Sequence, residues 1–214
     1  LSSFVKNPKH RFALKKVLPL FSYIFHPIFI PVFGTLFYLS LNENYLIPAQ
    51  QYLILIQISI LTVFIPLCFF FLLKTLGKAD SVMLSDLSQR KIPLVIQAAL
   101  LFILTAKSIT EDTLPELHYF FVGGLISSLL ALVLLFARIK ASLHMIGIAA
   151  LTAFVVGLSM HNQANAIYII AALALANGLI AASRLEMQAH TGKELLIGFF
   201  AGLLPQVILW YFWL

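Results

Sequence analysis

Towards the C-terminal end of this 214-residue sequence stands Ser183-Arg184, then five residues, then His190, with Glu194 four places further on. A histidine and a carboxylate at i and i+4 share one face of a helix. A carboxylate bonded to one ring nitrogen fixes the tautomer and leaves the other nitrogen as a nucleophile. Upstream, Arg138 and Lys140 lead into Ser142-Leu143-His144, and a second imidazole can protonate a departing alkoxide as general acid. Further upstream the chain reads Asp86-Leu87-Ser88-Gln89-Arg90-Lys91-Ile92-Pro93. Arg184, Lys140, Arg138 and Arg90 supply the cations that would hold and neutralise the equatorial oxygens of a phosphoryl group. Ser142, at the start of a helix, would aim backbone N–H groups and the positive helix end at the same anion. The chemistry this set suits is phosphoryl transfer through histidine, with no metal and no cofactor called for.

Each of these residues also has a plainer reading. Thr191-Gly192-Lys193-Glu194 is a capping box, with Thr at the N-cap and Glu at N3, and Ser142 can be a simple helix cap. Arg138 and Lys140 can be snorkelling flanks of a membrane helix, and Arg90 with Lys91 a topology signal. His26, His118 and His161 fit no motif and read as interfacial or packing residues. Cys68 reads as a small core or lipid-facing residue, Trp210 and Trp213 as an interfacial anchor, and Asn177 as a polar contact between helices.

The elements that must position these side chains follow from the composition. The chain is 61% apolar and 10% charged, with mean hydropathy +0.99, whereas soluble domains carry about a quarter charged residues. Water cannot be the solvent for most of this surface. A helix of about 20 residues crosses the hydrocarbon core, and seven uncharged runs of roughly that length occur: 17–41, 51–73, 92–106, 117–137, 142–160, 165–182 and 195–214. A charge at the bilayer centre costs roughly 2.5 to 3.5 kcal/mol on insertion scales, which explains their purity. The expected fold is all-α, a polytopic transmembrane helix bundle of six to seven spans. A basic tail (residues 1–16, with Lys6, Lys9, Arg11, Lys15 and Lys16) precedes a single transmembrane domain, 17–214. The tail leads into a stretch too long and too proline-rich for a signal sequence, which predicts that the first span is retained. His26, Pro27, Pro31 and Gly34 interrupt that first run, so it either crosses with a kink or forms a re-entrant or interfacial hairpin.

If all seven runs cross, the tail and the loops after spans two, four and six share one side. That side holds Lys74, Lys78, Arg90, Lys91, Arg138, Lys140, Arg184, Lys193 and the five tail cations, leaving only Lys107 of the 14 Lys and Arg on the other, beside Glu43, Glu111, Asp112 and Glu116. The positive-inside rule makes the basic side cytoplasmic. An anion-binding site there would create part of the same asymmetry. With six crossings, the motif loops would instead face outward.

Through these residues the chain resembles the type 2 phosphatidic acid phosphatase superfamily of membrane lipid phosphatases. The family motif S-R-x5-H-x3-D is matched by Ser183, Arg184 and His190, with Glu194 in place of Asp. The motif P-S-G-H survives as Ser142 and His144, with Ala141 for Pro and Leu143 for Gly. The motif K-x6-R-P is absent as written, and Arg90 with Lys91, or Arg138 with Lys140, could stand in for it. The resemblance covers spans four to seven in order, a core of about 117–214, and reaches spans one to three through hydropathy alone.

The resemblance implies a hydrolase acting on a phosphomonoester or diphosphate of a lipid, in an integral multi-pass protein of a bacterial inner membrane. His190 would become a transient phosphohistidine, oriented by Glu194, while His144 protonates the leaving group. Arg184, Ser142, Ser183, Lys140, Arg138 and Arg90 would bind phosphate. The implied partners are a lipid phosphate drawn from the bilayer and membrane lipids, and not nucleic acid; oligomeric state stays open. The alternative is a non-catalytic relative that binds anionic lipid or serves a membrane complex. A transporter or channel is disfavoured by the lack of charged residues within the spans.

Overall fold

The computed structural model describes residues 17–42, 46–77 and 87–214, with the backbone alone at Leu87 and Ser88. Lys6, Lys9, Arg11, Lys15, Lys16, Glu43, Lys78 and Asp86 lie outside the described residues. Within them the chain is helical, without strands, and seven helices are long and apolar enough to cross a membrane. These are α1 (Val17–Leu41), α2 (Pro48–Thr75), α3 (Leu87–Lys107), α4 (Pro115–Phe136), α5 (Leu143–His161), α6 (Ile167–Glu186) and α7 (Gly192–Trp213). The protein is an integral, multi-pass membrane protein.

Each uncharged run became a helix, and most helices outrun their runs. Lys74, Arg90, Lys91, Lys107, Glu116, Arg184, Glu186, Lys193 and Glu194 all sit in terminal turns rather than in loops. The apolar run measures the hydrocarbon, while the helix continues into the headgroup region because its backbone hydrogen bonds remain satisfied there.

α1 crosses the whole bundle. Near its start the Ser22 carbonyl meets His144 at the beginning of α5, and at its end the Leu41 carbonyl accepts from Asn162 Nδ2 at 3.2 Å, just past the other end of α5. The re-entrant alternative is therefore not the one the chain adopts. The crossing is broken, however. Residues 17–24 are helical, Pro27–Phe29 forms a tight 3-10 turn, and Ile30–Leu41 resumes the helix. Pro27 lacks an N–H and its ring drives the preceding residue out of the helical region; His26 is accordingly extended, with ψ 139°.

α5 is the most enclosed helix, and its contact with α7 is the most extensive in the bundle. Two glycines on one face of α7 make this possible. A Cβ on Gly198 would stand 2.6 Å from the Ser142 carbonyl, and one on Gly202 would strike the Ile146 carbonyl. Small residues four apart let membrane helices approach backbone to backbone, and here that fixes the start of α5 against the start of α7.

The tryptophans near the C-terminus pack inward. Trp213 is buried, packed against Phe154 at 6.0 Å, and the Trp210 indole lies against Gly157. These tryptophans fill the gap that Gly157 leaves on α5, while Tyr211, 89% exposed, faces outward. Asn177 does join two helices, its Nδ2 donating to Thr152 Oγ1 at 2.8 Å. Cys68 is exposed on the outer surface of α2.

Candidate active site

Thr191 caps α7. Its Oγ1 accepts from the Glu194 N–H, and Glu194 Oε2 accepts from the Thr191 N–H, both at 3.4 Å. The capping box is thus real. The same Oε2 also takes the Nδ1–H of His190 at 2.8 Å, so the plain and the chemical readings of Glu194 hold together. With its proton held at Nδ1, His190 presents Nε2 as the lone-pair nitrogen. The His190 pKa is pushed down from 6.5 to about 4. Burial is the main cause, Glu194 opposes it, and the charges of Arg90, Arg184 and Lys140 add to the depression. The ring is therefore neutral at pH 7, the state a nucleophile needs.

Ser142 is fully buried and caps α5, its Oγ accepting from the Met145 N–H at 3.5 Å. Its own N–H donates to the Glu194 carbonyl at 3.2 Å. One bond thus carries the first turn of α5, with His144, to the first turn of α7, with the His190–Glu194 pair. His144 is buried, and its Nε2 lies 3.0 Å from the Ser22 carbonyl. In an unbroken helix that carbonyl would accept from the His26 N–H. Because of the break, the His26 N–H turns to the Tyr23 carbonyl instead, and the Ser22 carbonyl is left to take His144. With a proton held on Nε2, Nδ1 is the ring nitrogen left for a ligand.

The cations separate into three kinds. Arg184, 1% exposed, and Arg90, 4% exposed, are turned into the bundle; Arg90 Nη1 donates to the Ala141 carbonyl at 3.1 Å, and Arg184 Nη1 points to Met187 Sδ at 3.8 Å. Lys140 is half-buried, its Nζ donating to the Ala189 carbonyl at 2.8 Å and lying 3.9 Å from Glu194 Oε2. It ties the α4–α5 loop to the loop that carries His190. Arg138 and Lys91 face away. Arg138 is exposed in the left-handed turn that ends α4, with φ 60°, and the Lys91 ammonium sits over the Phe136 ring at 5.7 Å. Ser183 is fully buried and bonded through its hydroxyl to the Ser22 hydroxyl at 2.6 Å, which ties α6 to α1.

Two contributors were missed from the sequence. Ser22 anchors both His144 and Ser183. His26, read as interfacial or packing, stands edge-on to His144 with ring centroids 5.3 Å apart. The available signal was the proline after His26, which marks a break where backbone groups come free. Beside these two histidines opens a cleft of about 200 Å³ between α1, α2, α3, α4 and α5. It is almost wholly apolar, running from His26 and Leu143 inward to Leu101 and Phe121.

In comparisons with family models, with curated proteins and with solved structures, the chain finds no match.

Proposed function

We propose that this chain is a lipid phosphatase of the type 2 phosphatidic acid phosphatase kind, which hydrolyses a phosphomonoester or diphosphate of a membrane lipid through a phosphohistidine and without a metal. The observation that carries this reading is the 2.8 Å bond from His190 Nδ1 to Glu194, buried among Arg90, Arg184 and Lys140. In the first step His190 Nε2 attacks phosphorus and the bond from phosphorus to the lipid oxygen breaks. His144, charged, with one proton on Nε2 held by the Ser22 carbonyl and the other on Nδ1, gives the Nδ1 proton to that oxygen, and the alcohol departs. In the second step water attacks phosphorus, His144 takes back a proton, the P–N bond breaks and phosphate leaves. Arg184, Arg90 and the N-terminus of α5 at Ser142 balance the negative charge throughout. The adjoining apolar cleft supports a substrate whose chain stays in the bilayer. In this reading the host is a bacterial inner membrane.

A second reading, a non-catalytic binder of anionic lipid, is favoured by one fact: Arg90 and Lys140 each give a donor to a backbone carbonyl of a neighbouring loop. A phosphate-release assay decides between them. Protein purified in detergent with EDTA is expected to free inorganic phosphate from at least one of phosphatidic acid, phosphatidylglycerol phosphate, a polyprenyl diphosphate or a lipid A phosphate. Silence across that panel supports the binder, and a strict need for a divalent metal sinks the histidine mechanism.

A further inference from the structure

The apolar cleft contains polar groups that the phosphate chemistry does not use. Ser127, on α4, is 1% exposed, and its Oγ has no hydrogen-bond partner among the described residues. It lines the cleft together with the carboxamide of Gln97 on α3. Hydroxyls inside membrane helices ordinarily bond the carbonyl one turn back. Ser128 does so to Gly124 at 2.8 Å, and Thr105 to Leu101 at 3.0 Å. Ser127, beside them, does not. α3 and α4 run antiparallel with Leu101 facing Gly124, which brings Gln97 level with the turn that holds Ser127. Seven residues separate Gln97 from Arg90, about 10 Å along a helix, so the pair lies on the chain side of the phosphate site. Both side chains can donate, one through O–H and one through N–H, and hydrocarbon offers them no acceptor.

We propose that Ser127 and Gln97 form a notch that reads a carbonyl oxygen at the head of the lipid's chains. The cleft would then prefer a lipid phosphate with an ester or amide carbonyl over one whose chains are ether-linked or pure hydrocarbon. This rests on the phosphatase reading only in placing the headgroup at His190. The physical basis is that a site built to bond a group rejects the analogue that lacks it, because the site's buried donors then go unpaired.

Binding of four lipids to the full-length His190→Ala protein in detergent tests the idea. The first two are diacyl phosphatidic acid and its dialkyl ether analogue, matched in headgroup and chain length. The others are ceramide 1-phosphate, with an amide, and a polyprenyl phosphate, with no carbonyl. A carbonyl-bearing lipid is expected to bind about tenfold tighter than the ether and polyprenyl lipids, the factor one well-made hydrogen bond supplies. Whether the ester or the amide binds tighter identifies the source of the carbonyl. Ser127→Ala combined with Gln97→Leu should erase the preference and leave ether binding in place. Equal affinity for diester and diether overturns the proposal. So does a preference that survives in the double variant, and so does failure of every lipid to bind. The ester–ether comparison is made with the notch intact, so a folding defect in the variant cannot decide the result. Phosphate release by the unsubstituted protein on the same lipids is scored separately. Preference without release sinks the phosphatase and keeps the notch; release without preference does the reverse.

Discussion

Each end of the bundle holds a histidine beside a glutamate, and the two pairs have different surroundings. At one end His190 and Glu194 sit on consecutive turns of the chain, 2.8 Å apart, with Arg90, Arg184 and Lys140 around them. At the other, His161 of α5 meets Glu116 of α4 at 3.4 Å, with the Trp213 ring edge-on to the histidine and Tyr38 beside the glutamate. The second pair latches two helices among aromatic rings. The first pair gathers cations. The contrast teaches that the same two residue types serve as a latch among aromatic rings and, among buried cations, have surroundings suited to an anion.

The strongest way to break this comparison is to remove each histidine in turn. His190→Ala should reduce phosphate release by roughly 10³-fold or more, as loss of a covalent nucleophile does. His161→Ala should leave release within about twofold and cost about 1–2 kcal/mol of stability, read from thermal unfolding in detergent. Similar losses of activity from both would erase the distinction.

A second measurement sharpens it. Protonation removes the His190 lone pair, so activity falls as pH falls. With the pKa pushed down to about 4, the acid limb of kcat/KM, which reports the free enzyme, should lie near pH 4 and not near 6.5. At pH 4.5 an imidazole of ordinary pKa, about 6.5, would retain only about a hundredth of the activity. An acid limb centred near 6.5 would show that burial does not tune this ring.

The smallest effect concerns the break in α1. Pro27→Ala restores an N–H and lets the helix run through, which returns the Ser22 carbonyl to its own helix and takes it from His144. Release from a lipid phosphate, a poor leaving group, should fall about tenfold, while release from p-nitrophenyl phosphate, which needs no acid, should hardly change. Equal losses on both substrates would mean that the break serves packing alone.

Local spacing already carried the His190–Glu194 pair, because i and i+4 on a helix start leaves little freedom. It also carried the capping box at Thr191 and the cap at Ser142. What it could not do was sort the cations. Arg90 and Lys91 are neighbours of one charge, yet one points into the bundle and the other lies over Phe136. Likewise Lys140 is drawn to Ala189 while Arg138, two residues earlier, faces out. Helix rotation decides the first case and the left-handed turn at Arg138 the second, and both are set by packing partners far away in the chain. Ser22 was invisible for a related reason, since its contribution is a backbone carbonyl that carries no side-chain signature.

By itself, then, the sequence determined a polytopic membrane helix bundle of six to seven spans, because uncharged runs of bilayer length admit no other solvent and no other backbone solution. It also determined which residues share a face within one helix. Only the tertiary structure decided that α1 crosses, that Gly198 and Gly202 bring α5 against α7, and that Ser142, beside His144, bonds to Glu194 of the His190 pair. Those outcomes depend on contacts between residues more than fifty positions apart, and no local pattern of residue types encodes them.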